Sequence, residues 1–153
     1  MNPDRLDEFP GHSVIVASLV GTGLFAVTAI PAAAGVDAFK LPAAAVSLAL
    51  FVVSIPLSLL ALARAAVRTA RQEDRITVGS LFFLQGSAPR PVRRLLLGSL
   101  LAALAVTVVT ASGEPFGVLQ PVFPLALCAW WAACYGTFPR IPDPDQPGPR
   151  PTG

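Results

Sequence analysis

Four uncharged apolar stretches dominate the chain, and every cluster of charge falls between or beyond them. They run from Ser13 to about Ala34, Leu41 to about Ala63, Leu95 to Ser112 and Phe116 to Phe138. A stretch of roughly 20 apolar residues rising 1.5 Å per residue covers the ~30 Å of a bilayer's hydrocarbon. Buried in lipid, such a segment must satisfy its own backbone hydrogen bonds, so each is expected to be a helix. The third is the shortest and lies near the lower limit for a span. Pro42 is expected in the first turn of the second helix, where a missing N–H is harmless, and Pro56 is expected to kink it. Pro121 and Pro124 predict an irregular outer end for the fourth.

The pattern therefore predicts an all-α integral membrane bundle of four transmembrane helices, arranged as two hairpins around a basic cytoplasmic loop at residues 64–94. Residues 1–12 form a polar tail. Residues 139–153 contain Pro139, Pro142, Pro144, Pro147, Pro149 and Pro151, a density that favours extended, disordered chain over a packed core.

Composition agrees with this division. Hydrophobic residues make up 54% and charged residues 13%, about half the charge of an average soluble domain. Ala32-Ala33-Ala34 resembles a signal-peptidase site, but Asp4, Arg5, Asp7 and Glu8 make the preceding segment acidic on balance. A signal peptide has a basic start and a shorter apolar core, so an uncleaved first helix is expected. An immunoblot should show no product shortened by the first helix.

Orientation is read from arginine. The long connection holds Arg64, Arg68, Arg71, Arg75, Arg90, Arg93 and Arg94 against Glu73 and Asp74, while the short connections hold only Asp37, Lys40 and Glu114. Basic loops stay on the cytoplasmic side. Both termini are then cytoplasmic too, and Arg140 agrees. Arg64, Arg68, Arg71 and Arg75 fall within about a 60° arc if the second helix continues past the membrane. A basic residue near an anionic surface contributes about 1 kcal/mol of attraction, so these seven arginines are the candidate contact for anionic lipid headgroups or for an acidic partner. The apolar piece Ile76–Ser87 is too short to span and is expected to lie in the interface or fold back on the bundle.

Small residues suggest how the helices meet. Ser13, Ala17, Gly21, Ala29 and Ala33 recur along the first helix, and Gly98 and Ala102 along the third. Small residues let helices approach closely in lipid, within one chain or across a homodimer. Trp130, Trp131 and Tyr135 are expected to form an aromatic belt at the membrane surface. Cys128 and Cys134, six apart, face different sides of a helix and are expected to be free, small apolar residues.

The residues required by several chemistries are missing. The four stretches contain no Asp, Glu, Lys, Arg or His, which argues against a small proton-coupled exporter, since ion and proton paths use intramembrane ionisable groups. His12 is the sole histidine, which argues against a haem-binding bundle and a Ser/His/Asp site. There is no CxxC for quinone-linked disulfide chemistry and no clustered ligand set for a metal. Gly21-Thr22-Gly23 lies within a span and is no nucleotide loop, and the arginines lack the aromatic platform of a nucleic-acid binder. No catalytic residue, cofactor or metal is expected. Polar residues such as Gln120 leave a second reading open, a channel or transporter half-unit acting as a dimer.

The abundance of Ala, Pro and Gly and the preference for Arg over Lys suggest a GC-rich bacterial genome, such as an actinobacterial one. The run DRITVGSLFFLQGSAPRPVRR and the segment containing Trp130, Trp131, Gly136, Phe138, Pro139 and Arg140 resemble a family of small actinobacterial integral membrane proteins with no assigned activity. The resemblance covers under half the chain. It supports the membrane assignment, expected here to be a bacterial plasma membrane, and carries over no catalytic residue.

Overall fold

The computed structural model describes residues 10–71, 76–113 and 115–139. Expectations for Arg75, Arg140, the N-terminal tail before Pro10 and the proline-rich tail lie outside the described residues.

The described chain is helical, with no strand. Helix α1 spans His12–Ala33 and α2 spans Asp37–Ala70; a short α3 covers Val78–Phe82, and α4 spans Arg90–Thr110. A 3₁₀ segment at Pro115–Leu119 leads into α5, Val122–Tyr135. Four segments are long and apolar enough to cross a membrane: α1, α2, α4 and the 3₁₀–α5 unit. This is consistent with a multi-pass membrane protein. The 14 residues of α5 reach only about 21 Å, so the fourth segment depends on the 3₁₀ piece to reach a bilayer's thickness.

Side chains are distributed inside out relative to a water-soluble bundle. Val20, Val27, Val53, Leu59, Leu101, Val108 and Val109 are all more than half exposed, while Ser18, Thr28, Ser47, Ser54, Ser99, Thr107, Thr110 and Gln120 are buried. Such a surface suits an apolar solvent. Several of these hydroxyls are satisfied locally or across helices: Thr28 donates to the Leu24 and Phe25 carbonyls, Ser54 to Phe51, and the Ser18 and Ser99 hydroxyls join α1 to α4 at 2.5 Å.

The bundle is centred on α1 and α5, with α2 and α4 packed on both. Trp131 donates from Nε1 to the Pro10 carbonyl at 2.9 Å, Arg68 reaches the end of α5, and the Thr137 N–H donates to the Ser87 carbonyl just ahead of α4. These contacts place the start of α1, the end of α2, the start of α4 and the end of α5 together. Gly11 begins α1 at φ 75°, and a Cβ there would press on the rings of Tyr135 and Trp131, so position 11 needs glycine twice over.

Several boundaries differ from the sequence reading. The 34-residue α2 starts at Asp37, which puts Pro42 in the second turn, where its missing N–H leaves the Ala38 carbonyl without a helical partner. The helix continues uninterrupted through Pro56 to Ala70. At about 51 Å it exceeds the hydrocarbon thickness. Helix α4 starts at Arg90, with Pro91 in its first turn, so Arg90, Arg93 and Arg94 belong to a helix rather than to a loop.

The helix seams also fall elsewhere. Along α1, Val14, Ser18, Gly21, Phe25, Thr28 and Ala32 are buried, at alternating steps of four and three residues. A stripe repeating every four residues drifts about 40° per step. It therefore crosses this seam at Gly21 and Ala29 while leaving Ser13 and Ala17 exposed. On α4 the seam is Val92, Leu96, Ser99, Ala103 and Thr107. Gly98 and Ala102 lie one residue, about 100°, off it and are exposed.

Candidate functional site

The described arginines sit at one end of the bundle, and Asp37 and Lys40 at the other, paired at 2.7 Å. Asp37 is the only acidic residue among those described. Within the arginine end, the side chains divide by what they touch.

Arg64 and Arg68 are turned onto α5. The Arg64 guanidinium lies 4.6 Å from the centre of a Trp130 ring, and its Nη1 donates to the Cys134 Sγ at 2.9 Å. Arg68 donates from Nη1 to the Ala133 carbonyl at 3.3 Å and from both Nη1 and Nη2 to the Gly136 carbonyl at 3.4 Å, with its Cζ 5.1 Å from the Phe138 ring centre. The last carbonyls of a helix have no intrahelical donors and carry partial negative charge. Arg68 supplies both the donors and the opposite charge. The helical phase that aligns Arg64 with Arg68 thus points them at α5, and they act as staples of the bundle. Arg68→Ala should lower stability by about 1–2 kcal/mol, toward the low end of the roughly 1.5–3 kcal/mol for hydrogen bonds to a charged group because the site is only half-buried. Controlled denaturant unfolding in detergent measures this.

Arg71 caps the end of α2, and Arg90, Arg93 and Arg94 occupy the first turns of α4; all four are exposed. No acidic residue occupies the first turn of α4. A helix N-terminus already carries partial positive charge, so three arginines there add to the field instead of neutralising it.

The connecting segment closes this end. Thr77 and Ser80 form a capping box for α3, the Ser87 hydroxyl donates to the Ser80 carbonyl at 2.7 Å, and Leu81 and Leu84 are buried in the same core as Trp131 and Phe138. The apolar piece therefore folds against the end of α5. Leu84 has φ 55°, a left-handed backbone conformation unusual for leucine, held by a fully buried side chain. The three aromatic side chains near the end of α5 differ in exposure. Trp131 is buried, Trp130 is half-buried under Arg64, and Tyr135 is exposed.

Both cysteines are free. Cys128 is buried and Cys134 partly exposed. A maleimide should label Cys134 in the folded protein and Cys128 only after unfolding, and Arg64→Ala should speed the first reaction. Mass spectrometry of labelled peptides separates the two sites, and equal labelling of both in the folded state would contradict the packing. Among the described residues no group of His, Cys, Asp and Glu side chains could hold a metal ion.

Comparison with protein-family models, with curated proteins and with solved structures finds no match.

Proposed function

We propose that the chain is a non-enzymatic, multi-pass protein of a bacterial plasma membrane, an accessory or scaffold subunit whose basic cytoplasmic end contacts anionic lipid or an acidic partner. In this reading the spans form two hairpins, both termini are cytoplasmic, and residues 64–94 are the contact region between the hairpins. The observation that supports it is the clustering of arginine: Arg71, Arg90, Arg93 and Arg94 are all exposed at one end of the bundle, and the Asp37–Lys40 pair lies at the other. Basic residues there favour the cytoplasmic side during insertion and the anionic leaflet afterwards. The test is affinity purification in mild detergent, comparing the native chain with a variant in which Arg71, Arg75, Arg90, Arg93 and Arg94 are all replaced by Gln. Loss of co-purifying anionic lipid or of an acidic protein is expected. Identical recovery by a normally inserted variant would end this reading.

A second reading has one specific observation in its favour. Gln120 is fully buried with neither Oε1 nor Nε2 hydrogen-bonded, and the Thr22 and Ser47 hydroxyls are also buried without partners. Buried polar groups normally bind protein or ordered water, so these fit a polar path through a dimeric channel or transporter. Flux through proteoliposomes that Gln120→Leu abolishes would support it, and a monomer in native mass spectrometry would count against it.

A further inference from the structure

The exposed side of α4 carries two cavities that meet at Arg94 and Gly98. One, of about 430 Å³, is lined by Arg90, Arg93, Arg94, Leu97, Gly98 and Leu101. The other, of about 420 Å³, lies between α1 and α4; Gly23, Ala26, Ala102 and Val106 help to line it, and Arg94 and Gly98 again contribute. Both are open, and both are mainly apolar away from the arginines. A Cβ added at Gly23 or Gly98 would meet nothing within 4 Å, so these glycines hollow the surface instead of allowing helix contact.

Together the cavities form an apolar furrow running into the membrane region, with three guanidinium groups at its mouth. We propose that this furrow seats one acyl chain of an anionic phospholipid whose phosphate is held by Arg90, Arg93 and Arg94. The proposal rests on the reading of the basic end as an anion-contacting surface, and it selects the α4 arginines over Arg64 and Arg68, which are occupied by α5. The occupant is a lipid by charge and depth. The arginines lie at the end of a membrane-length helix, where phosphates lie, and the furrow continues toward the hydrocarbon, where acyl chains lie. Arginine matches phosphate through its planar fork of donors, and the unneutralised N-terminus of α4 adds to the attraction. A protein helix would have to supply acidic groups at one end and an apolar ridge along the rest, a pairing already present in every anionic phospholipid.

The test is native mass spectrometry of the full chain released from mild detergent with equimolar phosphatidylglycerol and phosphatidylcholine. Preferential retention of phosphatidylglycerol is expected. R90Q/R93Q/R94Q should reduce that preference by at least about tenfold, because each basic residue at an anionic surface contributes several-fold. G98L fills the furrow without changing charge, and open space at Gly98 means the helix tolerates it; it should lower retention about threefold or more, since a filled furrow forfeits the packing contacts of a bound chain. R71Q/R75Q should retain the native preference. Unchanged lipid retention in either R90Q/R93Q/R94Q or G98L overturns the proposal. If the preference disappears only in R71Q/R75Q, the furrow is excluded while the basic-end reading stands. Equal retention of both lipids by the native chain overturns the furrow proposal and the lipid form of the basic-end reading, leaving only an acidic protein partner for that end.

Discussion

Trp131→Ala should weaken the bundle by about 2–4 kcal/mol. Trp131 is the largest fully buried side chain, and it sits where the last turn of α5, the start of α1 and the folded-back segment converge. Removing a buried Trp from a water-soluble core costs roughly 3–5 kcal/mol, part of it from transfer to water. In lipid the unfolded helices remain in an apolar solvent, so mainly the lost packing counts, and the expectation is correspondingly lower. The substitution also leaves the Pro10 carbonyl without the indole N–H that now reaches it at 2.9 Å. Trp131→Phe should retain most of the packing and lose about 1 kcal/mol, the net contribution of one hydrogen bond. Unfolding in mixed micelles, followed by far-ultraviolet circular dichroism, ranks the two. Equal stability of Trp131→Ala and the native chain would show that this end of the bundle is not packed as described.

Gly21→Leu should be comparably damaging, by about 3 kcal/mol or more. A Cβ at position 21 already overlaps the Phe123 ring, and Phe123 is buried at the start of α5, so a branched side chain must push α1 and α5 apart. Overpacking of this kind costs about 1–3 kcal/mol even where neighbours can shift, and here the obstacle is an aromatic ring between two helices. Gly98→Leu is the internal control. The same substitution on an open surface should leave stability unchanged or slightly improved, because Leu has a higher helix propensity than Gly. Equal loss at both positions, in the same unfolding assay, would contradict the seam.

The contrast between these glycines shows where sequence reading stops. The apolar stretches and the broken start of the fourth segment are legible because length, charge and proline act locally. The seam is not. Small residues every four positions look like one stripe, but the buried face of α1 advances by alternating steps of four and three residues, so a four-residue stripe drifts across it: Gly21 and Ala29 are buried while Ala17, like Gly98 and Ala102 on α4, is exposed. The same limit applies to the arginines. Their spacing puts Arg64 and Arg68 on one face, but only the position of α5 shows that this face lies against Trp130, Cys134 and the last carbonyls of α5. Arg90, Arg93 and Arg94 read as loop residues in the sequence because charge marks the end of an apolar span. Pro91 in the first turn of α4 is the local signal that a helix starts there, since proline is favoured where N–H groups have no intrahelical partner.

The division of labour among the arginines has a testable consequence for engineering. Replacements at Arg64 or Arg68 should reduce stability and disturb lipid contact only secondarily, whereas replacements at Arg90, Arg93 and Arg94 should spare the fold, since these side chains are exposed and their loss relieves like charge at a helix N-terminus. Purification yield and lipid content should therefore separate the two groups.

The most direct measurement of whether the basic end meets anionic lipid is electron paramagnetic resonance of the full chain reconstituted in phosphatidylcholine, with trace spin-labelled phosphatidylglycerol or spin-labelled phosphatidylcholine. A larger motionally restricted fraction is expected for phosphatidylglycerol. That excess should shrink as added salt screens the exposed charges and in the variant with Arg71, Arg75, Arg90, Arg93 and Arg94 replaced by Gln. Equal restricted fractions for the two lipids at low salt would contradict it.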